Sequence, residues 1–263
     1  STDGETWTSR TSAADNAWYG LAWSEDLSLW CAFGNNTSGG GTNGCMTSPD
    51  GITWTLRATT FNYGWQDVCA SDGAITVKFC AVASNGGTAN TVDTSPDGIN
   101  WTIRTPANSY VWNSVGWNGS NLFVAVASSG TGDRFMSSPD GITWTARTST
   151  EDNSWQDVVY SPSLSLWCAV SSNGTNRVAT SPDGITWTAR TPEAKGWIRI
   201  SWSDDRAEFI AAADGFVTTS SDGITWTLYN TPAINPRGVA WSPTRELYAG
   251  VGSNSPRAMS TIL

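Results

Sequence analysis

The chain has 263 residues, of which 17 are tryptophan, and a formal net charge of −9 at neutral pH. This length allows a sizeable core, and the low content of charged residues beside many aromatic ones indicates a folded protein. The acidic balance argues against nucleic acid and anionic lipid surfaces as partners, and no apolar run approaches the ~20 residues of a membrane span, so no membrane insertion is expected.

One short motif, Ser-Pro-Asp-Gly-Ile-Thr-Trp, recurs with small changes along the whole chain. Its tryptophan returns at intervals of 47, 47, 43, 43 and 39 residues and falls at Trp7, Trp54, Trp101, Trp144, Trp187 and Trp226. A period of this size indicates a repeat architecture and not a series of independent domains. We therefore interpret residues 1–263 as a single domain.

The Ser-Pro-Asp-Gly part of the motif has the residue types of a tight turn. Proline sets φ at the first central position, aspartate bonds nearby backbone N–H groups, and glycine accepts a positive φ. The flanking residues, for example 178–180 and 185–188, are largely β-branched or aromatic and are too few for helices. The motif therefore predicts an antiparallel hairpin in each repeat.

In chain order, each repeat predicts four strands. Residues 5–10 form one strand, and residues 18–24 mix large and small side chains as a strand with two packed faces does. Residues 27–33 predict a strand that is buried on both sides, and after a loop rich in Gly and Asn, residues 45–47 lead into the next turn. The sixth repeat departs most, because Pro236 replaces the tryptophan that opens the first strand elsewhere.

The chain begins with the fourth strand of one repeat and ends after the third strand of another. Its two ends together therefore supply the four strands of one repeat. Four antiparallel strands repeated around an axis predict an all-β fold, a six-bladed β-propeller of four-stranded antiparallel blades. We expect the ring to close by pairing the N-terminal strand, residues 5–10, with the C-terminal strands within residues 236–261. A linear β-solenoid is the alternative, and it would leave both partial ends unpaired.

The turn motif resembles the Asp-box of sialidase-type (BNR-like) and related propellers, which has the pattern Ser-x-Asp-x-Gly-x-Thr-Trp. The second copy supplies these residue types in the same order, with one residue fewer between aspartate and glycine, as Ser48, Asp50, Gly51, Thr53 and Trp54. Asp-boxes in that family look structural and lie away from the active site. The resemblance implies that the turn aspartates hold turns and do no chemistry: Asp3, Asp50, Asp97, Asp140, Asp183 and Asp222.

Five tryptophans open the first strand of their repeats and adjoin loops that vary in sequence. Amphipathic rings beside Asn, Gln and Asp suit a polyhydroxylated ligand, whose C–H face stacks while its hydroxyls form hydrogen bonds. We therefore expect a non-catalytic, multivalent, lectin-like propeller that binds glycans or a glycan-bearing surface through avidity. The expected ligand-binding residues are Trp18, Tyr19, Trp65, Gln66, Asp67, Trp112, Asn113, Trp155, Gln156, Asp157, Trp197 and Arg199. The alternative is that these rings only fill space between neighbouring blades.

Two other classes of function stay open. One is a structural or protein-interaction propeller, for example a module of a phage tail or of a surface protein, because propellers host many functions. The other is a glycoside hydrolase of sialidase type, which needs two carboxyl groups about 5–10 Å apart. Asp67 and Asp157 are available on the loop side, but Arg134, Arg177 and Arg257 occupy one repeat column and do not converge. Without a histidine base or a nucleophile motif, we expect no enzyme activity.

Three of the five cysteines, Cys31, Cys80 and Cys168, share a repeat position at which other repeats carry an apolar residue, and Cys69 replaces small residues such as Ala22. The chain has no Cys-x-x-Cys motif and no histidine, so we expect buried free thiols and neither a metal nor a cofactor. We expect a monomer. The sequence leaves the localisation open, with an extracellular or virion-surface setting favoured.

Overall fold

A computed structural model describes residues 8–35, 44–61, 64–84, 91–242, 247–253 and 258–261. Within these ranges the secondary structure consists of 23 β-strands, and no helix occurs there. Arg10–Thr148 form one compact unit, and the chain from Ser149 onward belongs to a second. Each unit contains three antiparallel sheets, with their strands in chain order.

The unit of residues 10–148 has three four-stranded sheets. The first sheet consists of β1 (Ala17–Ser24), β2 (Leu29–Asn35), β3 (Cys45–Ser48) and β4 (Thr55–Arg57). The second sheet consists of β5 (Trp65–Ala70), β6 (Phe79–Ala83), β7 (Val92–Ser95) and β8 (Thr102–Arg104). The third sheet consists of β9 (Trp112–Trp117), β10 (Phe123–Ala127), β11 (Phe135–Ser138) and β12 (Thr145–Arg147).

The second unit has two four-stranded sheets and one of three strands in its described part. The fourth sheet consists of β13 (Trp155–Ser161), β14 (Leu166–Ser171), β15 (Val178–Ser181) and β16 (Thr188–Arg190). The fifth sheet consists of β17 (Arg199–Ser203), β18 (Glu208–Ala213), β19 (Phe216–Ser220) and β20 (Thr227–Asn230). The sixth sheet consists of β21 (Pro236–Ser242), β22 (Leu247–Gly252) and β23 (Ala258–Thr261).

The all-β class and the four-stranded antiparallel sheets predicted from the sequence are confirmed. The predicted N-terminal strand falls partly on residues 1–7, which lie outside the described residues. Thr8–Arg10, the rest of that strand, are exposed and form no strand. Ring closure through residues 5–10 therefore stays a prediction.

The antiparallel order gives every sheet two distinct ends. The turns between the first and second strands and between the third and fourth strands lie at one end, the turn end. The loops between the second and third strands, and those that lead from one sheet to the next, lie at the opposite end, the loop end. The repeat motif lies at the turn end, and the variable segments of the sequence lie at the loop end.

An aspartate holds the turn between the third and fourth strands. Asp50 Oδ1 accepts hydrogen bonds from Ser48 Oγ at 2.9 Å and from the N–H groups of Ile52 and Thr53 at 2.8 and 2.7 Å. The N–H groups of Thr53 and Ile52 hold the pKa of Asp50 at about 2. Gly51 has φ 68°, which favours glycine. The same bonds recur at Asp97, Asp140, Asp183 and Asp222, while Asp3 lies outside the described residues.

The core of each unit lies between neighbouring sheets. Phe33 of the first sheet meets Trp65 and Trp101 of the second edge-on, with ring centroids 5.2 and 4.6 Å apart. Because side chains alternate along a strand, Cys80 and Val82 of β6 face the third sheet and join its core. Every residue of β6 is buried. Each sheet between two others therefore contributes both of its faces to the core.

We expect Asp183→Ala to lower the free energy of unfolding by about 1–3 kcal/mol. Its Oδ1 accepts from the N–H groups of Ile185 and Thr186 at 2.8 and 2.7 Å, and both donors would lose this partner. Gly184→Val should cost a similar amount, because φ is 66° there. Urea unfolding measures both effects, with the exposed Ile185→Thr as the control that stays unchanged. An unchanged midpoint for Asp183→Ala would contradict this role of the carboxylate.

Candidate functional site

The five tryptophans that precede or open the first strands, here called the entry tryptophans, were predicted to stack on a ligand. They are Trp18, Trp65, Trp112, Trp155 and Trp197. All except Trp18 are fully buried. Trp65, Trp112 and Trp197 fill the space between their own sheet and the preceding one. This burial leaves four of the rings without an exposed face for a ligand, and their role in ligand binding stays a prediction.

The indole N–H groups of three entry tryptophans are also engaged inside the protein. Each donates to the backbone carbonyl four residues earlier, at 3.1–3.2 Å, in the pairs Trp112 with Asn108, Trp155 with Glu151 and Trp197 with Glu193. A buried indole N–H needs a partner, and these carbonyls supply it. The rings therefore fix the loops that lead into their strands.

The two aspartates predicted to bind ligand form bridges between sheets. Asp67 Oδ2 accepts from Ser114 Oγ at 2.8 Å and from the N–H of Val115 at 3.1 Å, which joins β5 to β9. Asp157 Oδ2 accepts from the N–H of Ile200 at 2.9 Å, which joins β13 to β17. Both carboxylates thus act as structural acceptors within their own units.

The predicted glutamines brace the loop end. Gln66 Nε2 donates to the carbonyl of Gly64 at 3.2 Å and to Ser84 Oγ at 3.0 Å, which ties the loop before β5 to the end of β6. Gln156 Nε2 makes the equivalent bonds to Ser154 and to Ser172 Oγ. The sequence showed the polarity of these residues, but their partners come from a neighbouring strand.

The remaining predicted residues are also engaged within the chain. Arg199 Nε donates to the carbonyl of Arg237 at 2.9 Å, which links β17 to β21. Asn113 is half-buried and has a partner of its own. Arg134 and Arg177, named for a sialidase-type site, donate to loop carbonyls close to them in sequence, and Arg257 lies outside the described residues.

The first repeat differs from the others, because Trp18 and Tyr19 line an open depression. It has a volume of about 260 Å³. Its other walls are mostly apolar and are formed by Arg10, Ser12, Gly20, Leu21, Ala32, Met46 and Trp54. Of the residues predicted from the sequence to bind ligand, these two are the ones that meet in a described cavity.

The exposure of Leu21 shows that the other sheets of its own unit do not cover this face of the first sheet. Leu21 is 57% exposed, whereas its equivalents Val68 and Val115 are 4% exposed. Those valines are buried because their face packs on the preceding sheet. Tyr19, beside Leu21, is 38% exposed. The first sheet therefore presents an apolar surface that other sheets of the unit bury.

Asp93 is a carboxyl group with two features of a catalytic residue, burial and a raised pKa. It is fully buried on β7, and burial raises its pKa to about 6, while the N–H and hydroxyl of Thr60, each 3.3 Å away, act in the opposite direction. Perturbed pKa values often mark active sites. However, the equivalent position holds Met46 in the first sheet and Met136 in the third. The sequence signal for Asp93 is a single charged residue at a repeat position that is uncharged in the other described sheets.

In the part of the chain that the structure describes, no three or more His, Cys, Asp or Glu side chains lie together in a group that could hold a metal ion. The described residues also include no helix that is long and apolar enough to cross a membrane. The cysteines are free thiols, and burial raises the pKa of Cys80 and Cys168, which keeps them protonated.

Comparison with known proteins identifies the fold. No family model matches the chain, and no curated protein does. The structure of YCF48 bound to D1 peptide matches with a TM-score of 0.69 at 15% identity, over 99% of this chain and 83% of that one. The β-propeller domain of Cps50 (Swd1) from Myceliophteria thermophila matches with 0.65 at 11% identity, over 94% and 84%. The chain has the propeller fold.

A third solved structure matches over most of its length. A protein from Lactobacillus plantarum matches with a TM-score of 0.65 at 14% identity, over 92% of this chain and 80% of that one. Identities this low show the fold alone, and a propeller can carry many functions. The function therefore has to be argued from the surfaces of this chain.

We expect Asp93→Asn to flatten the pH dependence of stability between about pH 4 and pH 6. The folded pKa of about 6 lies above the value near 3.9 of an unfolded chain. The folded protein therefore binds this proton more tightly, and stability falls as pH rises through that window. The loss in the native protein is on the order of 3 kcal/mol by pH 7.

Urea unfolding at pH 4.5 and pH 7 checks this expectation. The exposed Asp205→Asn is the control and should leave the pH dependence as it is in the native protein. The same difference between the two pH values in Asp93→Asn and in the native chain would contradict the assignment.

Proposed function

We propose that this chain is a non-catalytic propeller that binds a protein partner, with the depression on its first sheet as the anchor. The observation that carries the proposal is the exposure of Leu21 and Tyr19, at a place where the other sheets of the unit bury their apolar residues. An open apolar surface beside polar loops is typical of an interaction site. Its cover, in this proposal, is a segment of another protein.

The size and chemistry of the depression fit one side chain of a peptide. A volume of about 260 Å³ lies below the ~300–1,000 Å³ of sites for drug-sized ligands. Trp18, Trp54 and Met46 supply apolar walls for an aliphatic or aromatic side chain. Arg10 supplies a guanidinium group at the rim, which suits a carboxylate or a backbone carbonyl of the same segment.

A protein partner agrees with the structure better than a glycan or a substrate. Glycan binding requires accessible rings and free polar groups, but four entry tryptophans are buried and Asp67 and Asp157 are bonded to neighbouring strands. The same bonds leave the two carboxylates without a catalytic arrangement. Support also comes from YCF48, whose structure is described as bound to D1 peptide and which shares this fold.

We expect Leu21→Ser and Tyr19→Ser to weaken peptide binding by roughly tenfold each without changing stability. Peptides enriched from a random displayed library on the intact chain serve as probes, and a glycan array is run in parallel. Leu164→Ser is the control, because Leu164 is 39% exposed, as Tyr19 is at 38%, lies in the turn between β13 and β14, and is not among the residues that line the depression.

Two outcomes would contradict the proposal. A clear fall in the unfolding midpoint of Leu21→Ser would mean that the folded chain itself covers this face. Glycan binding that survives both substitutions, without any peptide binding, would favour the lectin-like function expected from the sequence.

The alternative to a partner at this face is that the ring closes as the sequence predicts, with residues 5–10 as the fourth strand of the sixth sheet, because in a closed propeller the chain itself covers the face that carries Leu21. In the first sheet, Met46 of β3 lies opposite Leu56 of β4. The equivalent positions in the sixth repeat are Met259 and Ser9. Residues 1–263 would then form one domain of six blades, and the turns would be shortened Asp-boxes, an assignment supported by the recurring aspartate bonds.

We expect the variant Ser9→Cys/Met259→Cys to form a disulfide under mild oxidation, because opposed residues of paired strands lie within reach of one bond. Mass spectrometry of the digested protein measures the cross-link. The pair Ser9→Cys/Ala258→Cys, shifted by one residue, places the two side chains on opposite faces and is the control. Equal yields in the two variants would contradict closure by this pairing.

A further inference from the structure

The turn ends of the sheets present one exposed isoleucine in each described repeat. These isoleucines follow the turn glycine and are 41–53% exposed, and they are Ile52, Ile99, Ile142, Ile185 and Ile224. Single exposed apolar residues are common and need no explanation. Here the same apolar side chain occupies the equivalent turn position of successive repeats. Such a regular array is not explained by chance exposure and suggests a function.

The turns hold these isoleucines rigidly. The N–H of Ile52 donates to Asp50 Oδ1 at 2.8 Å, and the N–H of Ile99 donates to Asp97 Oδ1 at 2.8 Å. Ile142 has the same bond to Asp140. A backbone that is already fixed loses little conformational entropy when its side chains are covered, which favours binding.

The same end of the unit of residues 10–148 is strongly acidic. Its carboxyl groups are those of Glu25, Asp26, Asp50, Asp72, Asp97 and Asp140, and its single amine is that of Lys78, which pairs with Asp26. The loop end of this unit is balanced, with Asp15, Asp67, Asp93 and Asp133 against Arg10, Arg57, Arg104, Arg134 and Arg147. The charge of the unit is therefore concentrated at the end that carries the isoleucines.

The negative charge of this turn end determines which classes of partner can bind there. A second copy of the chain would bring two acidic surfaces together, and nucleic acid or an anionic membrane would be repelled in the same way. A cationic surface is attracted, but only one that also offers apolar side chains covers the isoleucines. Charge complementarity and the apolar array together define one class of partner.

We propose that the turn end of residues 10–148 is a docking surface for a protein that presents lysine or arginine side chains around aliphatic ones. The aliphatic groups cover Ile52, Ile99 and Ile142, while the cations lie beside the turn carboxylates. The turn end of the second unit repeats this chemistry, with Ile185 and Ile224 beside Asp183 and Asp222. The isoleucines of this surface are not among the residues that line the depression on the first sheet.

Three synthetic peptides of equal length test the proposal by fluorescence anisotropy with the intact chain. One alternates Lys and Leu, the second alternates Lys and Ser, and the third alternates Glu and Leu. The Lys–Leu peptide should bind at least about tenfold more tightly than the Lys–Ser peptide, and its binding should weaken with added salt. The Glu–Leu peptide should not bind.

Two variants locate the surface. Ile52→Ser/Ile99→Ser/Ile142→Ser should reduce affinity for the Lys–Leu peptide by about tenfold or more, with an unchanged unfolding midpoint. Glu25→Gln/Asp72→Asn leaves the turn aspartates intact and should reduce affinity by about threefold and lessen the salt dependence.

The matched control is Phe61→Ser, since Phe61 is 42% exposed at the loop end of the same unit. It should bind the Lys–Leu peptide as the native chain does. Equal affinity for the Lys–Leu and Lys–Ser peptides would overturn the proposal, and so would an equal loss in the Phe61 variant. If the triple variant is unstable, the isoleucines belong to the core and the proposal is also overturned.

Discussion

The burial of the second strands on both faces is the constraint on which this structure depends. In β6, Phe79 and Ala81 pack toward the first sheet while Cys80 and Val82 pack toward the third. A sheet of this kind cannot be stable alone, because either face would expose apolar surface to water. Repetition of the blade follows from this need. The surfaces that remain for function are the two ends of the sheets and any face without a neighbour.

The turns and strands of the fold can be predicted from the sequence. The contacts between repeats that bury the candidate site residues cannot. Turn chemistry is local, so Ser48, Asp50 and Gly51 were enough to predict a hairpin, and the apolar run within residues 27–33 was enough to predict a strand buried on both sides. Trp65 starts a strand beside a loop, a position that suits both a ligand site and a core. Its burial depends on Phe33, in another repeat, and no spacing rule reveals that contact.

The difference between the two ends of the sheets arises from the repeats themselves. The turn end needs an aspartate in every copy, because the N–H groups of the turn require an acceptor, and five of the six copies also bring an isoleucine that is exposed. Duplication of the repeat therefore multiplies both negative charge and apolar surface at that end. The loop end has no such requirement, so its residues differ between repeats and its charges balance.

The bridge from Asp67 to β9 has a mechanical consequence. Apolar faces such as those around Val82 can slide past one another with little loss of contact, because dispersion and the hydrophobic effect have no preferred direction. The two hydrogen bonds from Ser114 and Val115 to Asp67 do have a direction, and they lengthen at once when β9 shifts along β5. Under tension along the chain, these two hydrogen bonds therefore resist sliding of β9 along β5 before the apolar contacts are lost.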